Sequence, residues 1–285
     1  LSESGNKVLL CYGGGSIKKA GIYDEAVKIL KEEDIEIFEL SGIAPNPKIE
    51  SVREGVKLCK ENDIDMVLAI GGGSVIDCAK VVAAGACYDG DPWDLVITPR
   101  WIKKALPIYS VLTLSATGSE MDPFAVISDM SKNEKWGTSS EHMKPKMSIL
   151  DPEYTYSVSK KQTAAGTADM ISHICENYFT NVKNADVQAR FAEGLLKNCF
   201  KYGPIALEEP DNYDARANLM WTASMAINGI LSDGAEVSWC VHPMEHELSA
   251  FYDITHGEGL AILTPHWMDF ALNDDTASKF ADYAR

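Results

Sequence analysis

Hydrophobic positions in the first half of the chain come in short, nearly unbroken runs. Lys7–Tyr12 (KVLLCY), Ile35–Leu40 (IEIFEL), Asp65–Ile70 (DMVLAI) and Leu106–Leu112 each read as a strand. Between them the apolar positions recur at helical spacing, as at Ile22, Ala26, Ile29 and Leu30 in Ile22–Glu33, and at Ile49, Val52, Val56 and Cys59 in Pro47–Asn62. A small-residue helix is expected to run to about Ala86. Strands that lack polar alternation have both faces covered, so the pattern predicts an α/β domain with a parallel sheet. From about Ser157 the strand signals end and the 3.6-residue period takes over. Helices are expected over Lys161–Thr180, Ala185–Tyr202, Asp211–Leu231, Glu236–Ala250 and His256–Leu272. The expected organisation is therefore an α/β domain over residues 1–157 and an all-helical domain over 158–285.

Three loops follow strand ends and could carry chemistry. Gly71-Gly72-Gly73-Ser74 hands a strand over to a helix. Glycines there let a diphosphate approach the backbone, and the helix start offers free N–H groups. Ser74 could cap the helix or donate to phosphate, and Asp77 could bond another part of a nucleotide; a tight turn is the plainer reading. This is not the GxGxxG spacing of a Rossmann fingerprint. Gly13-Gly14-Gly15-Ser16 is followed by Lys18 and Lys19. With no carboxylate in the loop to repel a ribose 2′-phosphate, it favours NADPH over NADH, unless both lysines are simply a solvated face. The third loop, Thr113–Glu120 (TLSATGSE), concentrates small hydroxyls suited to a ribose or amide, or to an ordinary polar turn.

Five of the six histidines fall in the helical half. Asp169 and His173 are four apart, as are His242 and His246, so each pair shares a helix face. His256 follows in Thr-His-Gly-Glu-Gly. One carboxylate with three imidazoles suits Zn²⁺ or Fe²⁺; helix caps and satisfied core histidines are the alternatives.

Composition narrows the classes. Lys plus Arg is 26 and Asp plus Glu is 42, a formal charge of −16. No basic excess is available for general nucleic-acid or anionic-membrane binding. No apolar run approaches the roughly 20 residues of a membrane helix. Seven cysteines without a CxxC pair read as reduced, mostly buried thiols of a cytoplasmic protein.

On the stretches YGGGSIKKAG (12–21), PNP (45–47), AIGGGSVIDCAK (69–80), LTLSATGSE (112–120), GTADMISH (166–173), HPMEHEL (242–248) and HGEGLAILTP (256–265), the chain resembles the iron-containing (group III) alcohol dehydrogenases. Within them it is similar to the NADPH-dependent butanol dehydrogenase and aldehyde reductase branch. The resemblance implies a dehydroquinate synthase-like architecture. It implies metal ligation by Asp169, His173, His242 and His256, and nucleotide contacts at Gly72, Gly73, Ser74, Asp77, Thr113, Thr117 and Ser119. Gly14 and Ser16 would lie at the 2′-phosphate, Lys135 would touch the cofactor, and His246 would relay a proton. The activity implied is metal-dependent hydride transfer between NAD(P)H and small alcohols or aldehydes such as butanol and butyraldehyde, by a cytoplasmic homodimer. A lyase of the dehydroquinate synthase type and an inactive nucleotide-binding fragment are the rival readings. The chain lacks an initiator Met and stops inside a helical pattern, so a piece of a longer protein is expected.

Overall fold

The computed structural model describes residues 1–237 and 239–284. The chain divides into two compact units: Leu1–Leu114 with Ser119–Val158, and Ser115–Gly118 with Ser159–Arg285. The short segment 115–118 thus packs with the helical unit, although the sequence boundary assigns it to the α/β domain.

In the first unit β1 (Lys7–Tyr12) is followed by the single turn α1 (Ser16–Lys19), then α2 (Ile22–Glu32) and β2 (Glu36–Leu40). Next come α3 (Ile49–Asn62), β3 (Met66–Gly71), α4 (Gly73–Gly85), the short α5 (Pro92–Ile97) and β4 (Ile108–Leu112). An antiparallel hairpin of β5 (Phe124–Asp129) and β6 (Glu134–Ser139) precedes β7 (Met147–Ile149). Five strands form one parallel sheet in the order β2-β1-β3-β4-β7. Its core shows why the strand runs carry no polar alternation. Val8, Leu10 and Tyr12 of β1 pack with Met66, Leu68 and Ile70 of β3 and with Ile17, Ile22 and Leu30 on one face. The intervening Leu9, Cys11, Val67 and Ala69 are equally buried on the other.

The helix α4 is buried along almost its whole length. A Cβ on Gly55 of α3 would come within 2.6 Å of Val82, so glycine lets the two helices approach closely. The hairpin is anchored to α4 by the fully buried Lys80. Its Nζ donates to Asp122 Oδ1 (2.8 Å), Asp122 O (2.9 Å) and Phe124 O (2.7 Å). The sequence pattern does not announce this hairpin, because β6 (EKWGTS) is largely polar. Nor does it announce β7, whose Met147 and Ile149 are exposed.

The second unit consists of helices: α6 (Lys160–Tyr178), α7 (Asp186–Glu208), α8 (Tyr213–Ile227), α9 (Val241–Tyr252), α10 (His256–Ala271) and α11 (Ala277–Tyr283). Met170, Ile174, Leu196, Cys199, Leu219 and Ala223 form its core. Ser159 starts α6 by accepting the Gln162 N–H (3.2 Å), and Asn212 starts α8 by accepting that of Ala215 (3.0 Å). α9 begins at Val241 rather than at Glu236 as the periodicity suggests; Ser238, within that expected helix, lies outside the described residues. The seven cysteines are free thiols. No helix of the described residues is long and apolar enough to cross a membrane.

Candidate metal centre and dinucleotide loops

In the first unit the glycine loops gather at the carboxyl end of the sheet. Gly13–Ser16 follows β1, Gly71–Ser74 follows β3 and Thr113 follows β4, and these strands are neighbours. The order β2-β1-β3 means that the chain runs one way from β1 and the other way from β3. The carboxyl ends of β1 and β3 therefore flank a topological switch point, where open α/β sheets bind ligands.

Each loop has the shape this requires. Gly72 caps α4 in extended conformation, and a Cβ there would press on Leu114 at 3.1 Å. Val75 and Ile76 return their N–H groups to Gly72 O. Gly73 and Ser74 stand at the helix start, where N–H groups lack intrahelical partners. Gly15 lies at φ 107°, a left-handed conformation that favours glycine, and delivers the chain into α1 at the exposed Ser16. Gly14 is exposed, with open space where its Cβ would be. Lys18 is exposed; its ammonium lies 4.8 Å from the Tyr12 ring centre, 4.3 Å from that of Tyr23 and 4.0 Å from Glu39. Glu39 in turn accepts from the Tyr12 and Tyr23 hydroxyls (2.5 and 2.7 Å).

Other candidate cofactor residues have protein partners. Asp77 is buried and accepts from Ser119 Oγ (2.6 Å) and the Val126 N–H (2.9 Å), so one oxygen ties α4 to the loop after β4 and the other to the hairpin. Lys135, on β6, is buried and donates to Asn46 Oδ1 (3.0 Å) in the Pro45-Asn46-Pro47 turn. Thr113 is half-buried, and Thr117 is half-buried within the segment that packs with the helices.

The metal-ligand candidates meet inside the second unit. Asp169 and His173 share one face of α6, His242 opens α9, and His256 is the first residue of α10. Nε2 of His173 lies 3.5 Å from Asp169 Oδ1, and the Nε2 atoms of His242 and His256 lie 3.7 Å from it. These separations are too long for hydrogen bonds. An ion about 2.1 Å from each donor at tetrahedral angles would set donors about 3.4 Å apart. Asp169, His173 and His242 each bring a ligand atom within 4.8 Å of the others. His173 and His242 stack with centroids 4.6 Å apart, and the His242 and His256 rings meet edge-on at 5.2 Å.

Three atoms in this cluster are buried with no hydrogen-bond partner among the described residues: Asp169 Oδ1, His173 Nδ1 and His242 Nε2. Leaving such groups unmet in the interior is costly, and a cation that takes Oδ1 of Asp169 and Nε2 of His242 as ligands relieves it at those two atoms. The residues therefore fit a divalent ion. The electrostatics agree. Burial opposes charge at Asp169, yet the imidazoles of His173, His256 and His242 hold its carboxyl well below the usual range. Burial pushes His173 down to about 4, so it stays neutral and ready to coordinate. His242 is also opposed by burial, but Asp169 and Glu176 push it up to about 9, so a cation that takes its Nε2 must displace a proton.

Two carboxylates that the sequence reading passes over complete the centre. Glu176, on the Asp169 face of α6, accepts from His242 Nδ1 (2.5 Å) and from the N–H groups of Cys240 (2.5 Å), Val241 (3.1 Å) and His242 (2.9 Å). It thereby caps α9. Glu245, on α9, meets His256 Nδ1 and accepts from Ser249 Oγ. Their only signal in the sequence is position: Glu176 is one turn past His173, and Glu245 lies between His242 and His246. His246 is half-buried, its ring 5.8 Å from that of His256. His142 is exposed in the α/β unit, and His266 is exposed on α10, well past His256.

An α/β unit with glycine loops at its switch point and a helical unit with a one-Asp, three-His centre define a nucleotide- and metal-dependent class of protein. The sequence profile of iron-containing alcohol dehydrogenases matches residues 1–152, and that of the C-terminal part of the Fe-containing alcohol dehydrogenase family matches residues 163–285. The chain belongs to the iron-containing alcohol dehydrogenase family. It is 61% identical over 283 residues to NADH-dependent butanol dehydrogenase A of Clostridium acetobutylicum, covering 99% of this chain and 73% of that protein. It is 43% identical over 282 residues to the NADPH-dependent aldehyde reductase YqhD of Escherichia coli, covering 98% and 72%. The crystal structure of NADH-dependent butanol dehydrogenase A from Thermotoga maritima superposes with a TM-score of 0.91 at 48% identity, over 93% of this chain and 67% of that one.

Proposed function

We propose that this protein is a metal-dependent alcohol dehydrogenase and aldehyde reductase that moves hydride between NAD(P)H and small primary alcohols or aldehydes such as butanol and butyraldehyde. The observation that carries this reading is the buried Asp169 oxygen with three imidazole nitrogens 3.5 to 3.7 Å from it. Asp169, His173, His242 and His256 would hold a divalent ion, Fe²⁺ or Zn²⁺. Such an ion supplies Lewis acidity toward a substrate oxygen, and the nicotinamide supplies the hydride.

The chain's own residues do the rest. The start of α4 offers backbone N–H groups to a diphosphate, which explains how an acidic protein binds an anionic cofactor. His173, neutral down to about pH 4, stays available as a ligand over the physiological range. His246, beside His256 and half-buried, is placed to hand a proton to a nascent alcohol or to take one from an alcohol substrate. Between the two cofactors, which differ by the ribose 2′-phosphate, we favour NADPH. Gly14 leaves open space, and Lys18 adds an exposed cation beside the loop. The related enzymes carry both cofactor names, so the ratio of kcat/KM for NADPH and NADH is decisive, and a higher value for NADH overturns this preference. The reading also carries a homodimer in a cytoplasmic setting, checked by light scattering and cell fractionation.

The main test follows cofactor oxidation with butyraldehyde after anaerobic loading with Fe²⁺ or Zn²⁺. Turnover is expected with loaded protein, with at least a hundredfold loss in His242→Ala, on the order of what removing a catalytic metal ligand costs. Undiminished turnover in that variant would sink the ligand assignment. Elemental analysis of anaerobically purified protein identifies the metal.

A further inference from the structure

We infer that Glu176 and Glu245 are positioning residues that lock His242 and His256 into the one ring state able to bind the metal; this rests on the metal-site reading above. Both carboxylates are buried, at 3% and 0% exposure. Each faces the Nδ1 atom of one candidate ligand. A carboxylate accepts only from N–H, so each pairing places the ring proton on Nδ1. In the neutral ring the Nε2 lone pair is then the one left to coordinate, and in both rings Nε2 is the atom that lies 3.7 Å from Asp169 Oδ1. The two glutamates thus define tautomer and ring direction together, and their charge makes the coordinating nitrogen a better donor.

The carboxylates are themselves held. Glu176 is fixed by three consecutive backbone N–H groups at the start of α9. Glu245 is fixed by Ser249 Oγ, which also donates to Ile254 O (3.2 Å), tying α9 to the turn that delivers His256. Space for Glu245 comes from α10: a Cβ on Gly259 would approach its Cγ to 2.8 Å. His173 has no such partner on Nδ1, which is buried without one among the described residues. The arrangement is therefore specific to the ligands of α9 and α10, the two helices that must be brought to α6. Glu245 belongs by distance to a group with His246 and His256 that could itself take an ion. Its engagement with Nδ1 of His256 and with Ser249 assigns it to orienting the ring instead.

The test titrates Co²⁺ into the metal-free full-length chain against a chromophoric chelator, reading both the dissociation constant and the visible Co²⁺ spectrum. Wild type is expected to bind one Co²⁺ with a four-coordinate spectrum. Glu245→Gln keeps an acceptor for Nδ1–H but loses the charge, and about tenfold weaker binding is expected; Glu245→Ala should lose about a hundredfold. Both should retain the wild-type spectral shape and helical circular dichroism. Glu176→Gln should weaken Co²⁺ about tenfold, and the Glu245 pair decides the matter if that variant fails to fold for want of its α9 cap. Wild-type affinity in Glu245→Ala would overturn the inference. So would a Co²⁺ spectrum in that variant showing a lost ligand, because Glu245 would then coordinate the metal directly. Failure of wild type to bind Co²⁺ would instead overturn the metal-site reading itself.

Discussion

Asp77 shows how a single residue of the α/β unit serves the scaffold. Burial pushes its carboxyl up to about 6, although Lys80 and Ser119 pull the other way. The folded chain therefore holds the proton more tightly than the unfolded one, where the group titrates near 3.8. That contribution is fully present below about pH 4 and is lost as pH rises through about 6. The difference between the two states is worth on the order of 3 kcal/mol. In Asp77→Asn the amide stays neutral and can still accept from Val126 while donating to Ser119. The expected result is that wild type loses stability relative to Asp77→Asn between pH 4 and 6, read by urea unfolding at each pH. A pH-independent difference would contradict it. The sequence places Asp77 one turn into a glycine-led helix and suggests a nucleotide contact. Only the fold shows that Ser119 and Val126 donate to its two oxygens.

Elements meet where side chains are missing. Gly257, directly after His256, has no room for a Cβ: the atom would sit 2.0 Å from Ala165 O on α6. Backbone cannot swing aside as a side chain can, so α10 must retreat. Gly257→Ala is expected to cost at least about 2 kcal/mol in urea unfolding, in line with overpacking of a filled interface. Gly194, in the interior of α7, is exposed and has open space around its Cβ position. Gly194→Ala should stabilise by about 0.5–1 kcal/mol, because it removes only the helix penalty of glycine. Equal effects of the two substitutions would refute the packing argument. The longer helices and strands β1 to β4 were readable, most of them to within a few residues, because their signal is repeated along the segment itself. The β5–β6 hairpin was not: Ala125 and Ile127 are buried, but β6 is largely polar and the anchor from α4 is the buried Lys80. Glu176 and Glu245 carry no such local signal, and their roles arise only where α9 and α10 meet α6.

At the scale of the whole chain, the four candidate ligands all lie in the helical unit, between residues 169 and 256. Metal binding should therefore stabilise that unit by mass action, by about 2.7 kcal/mol at a hundredfold excess over Kd. In hydrogen exchange read by mass spectrometry, Zn²⁺ should slow exchange in α6, α9 and α10 and leave β1, β3 and β4 unchanged. Chelation should reverse the effect. Equal protection of the sheet would contradict a centre confined to the helices. The formal charge of −16 does not conflict with an anionic cofactor, because phosphate recognition at a helix start uses backbone dipoles and needs no basic surface.

Local order was settled by the sequence alone: strand runs without polar alternation, helical periods, glycine loops after strands, and an Asp and histidines at four-residue spacing. Each depends on residues close together in the chain, where geometry follows from the 2-residue and 3.6-residue repeats. The tertiary structure decided the order β2-β1-β3-β4-β7, which sets the β1 and β3 loops side by side. It also decided the convergence of Asp169, His173, His242 and His256, and the pairing of Glu176 and Glu245 with two of those histidines. These depend on packing between helices distant in sequence, where burial removes water and leaves a carboxylate and imidazoles only each other, or a cation, for partners.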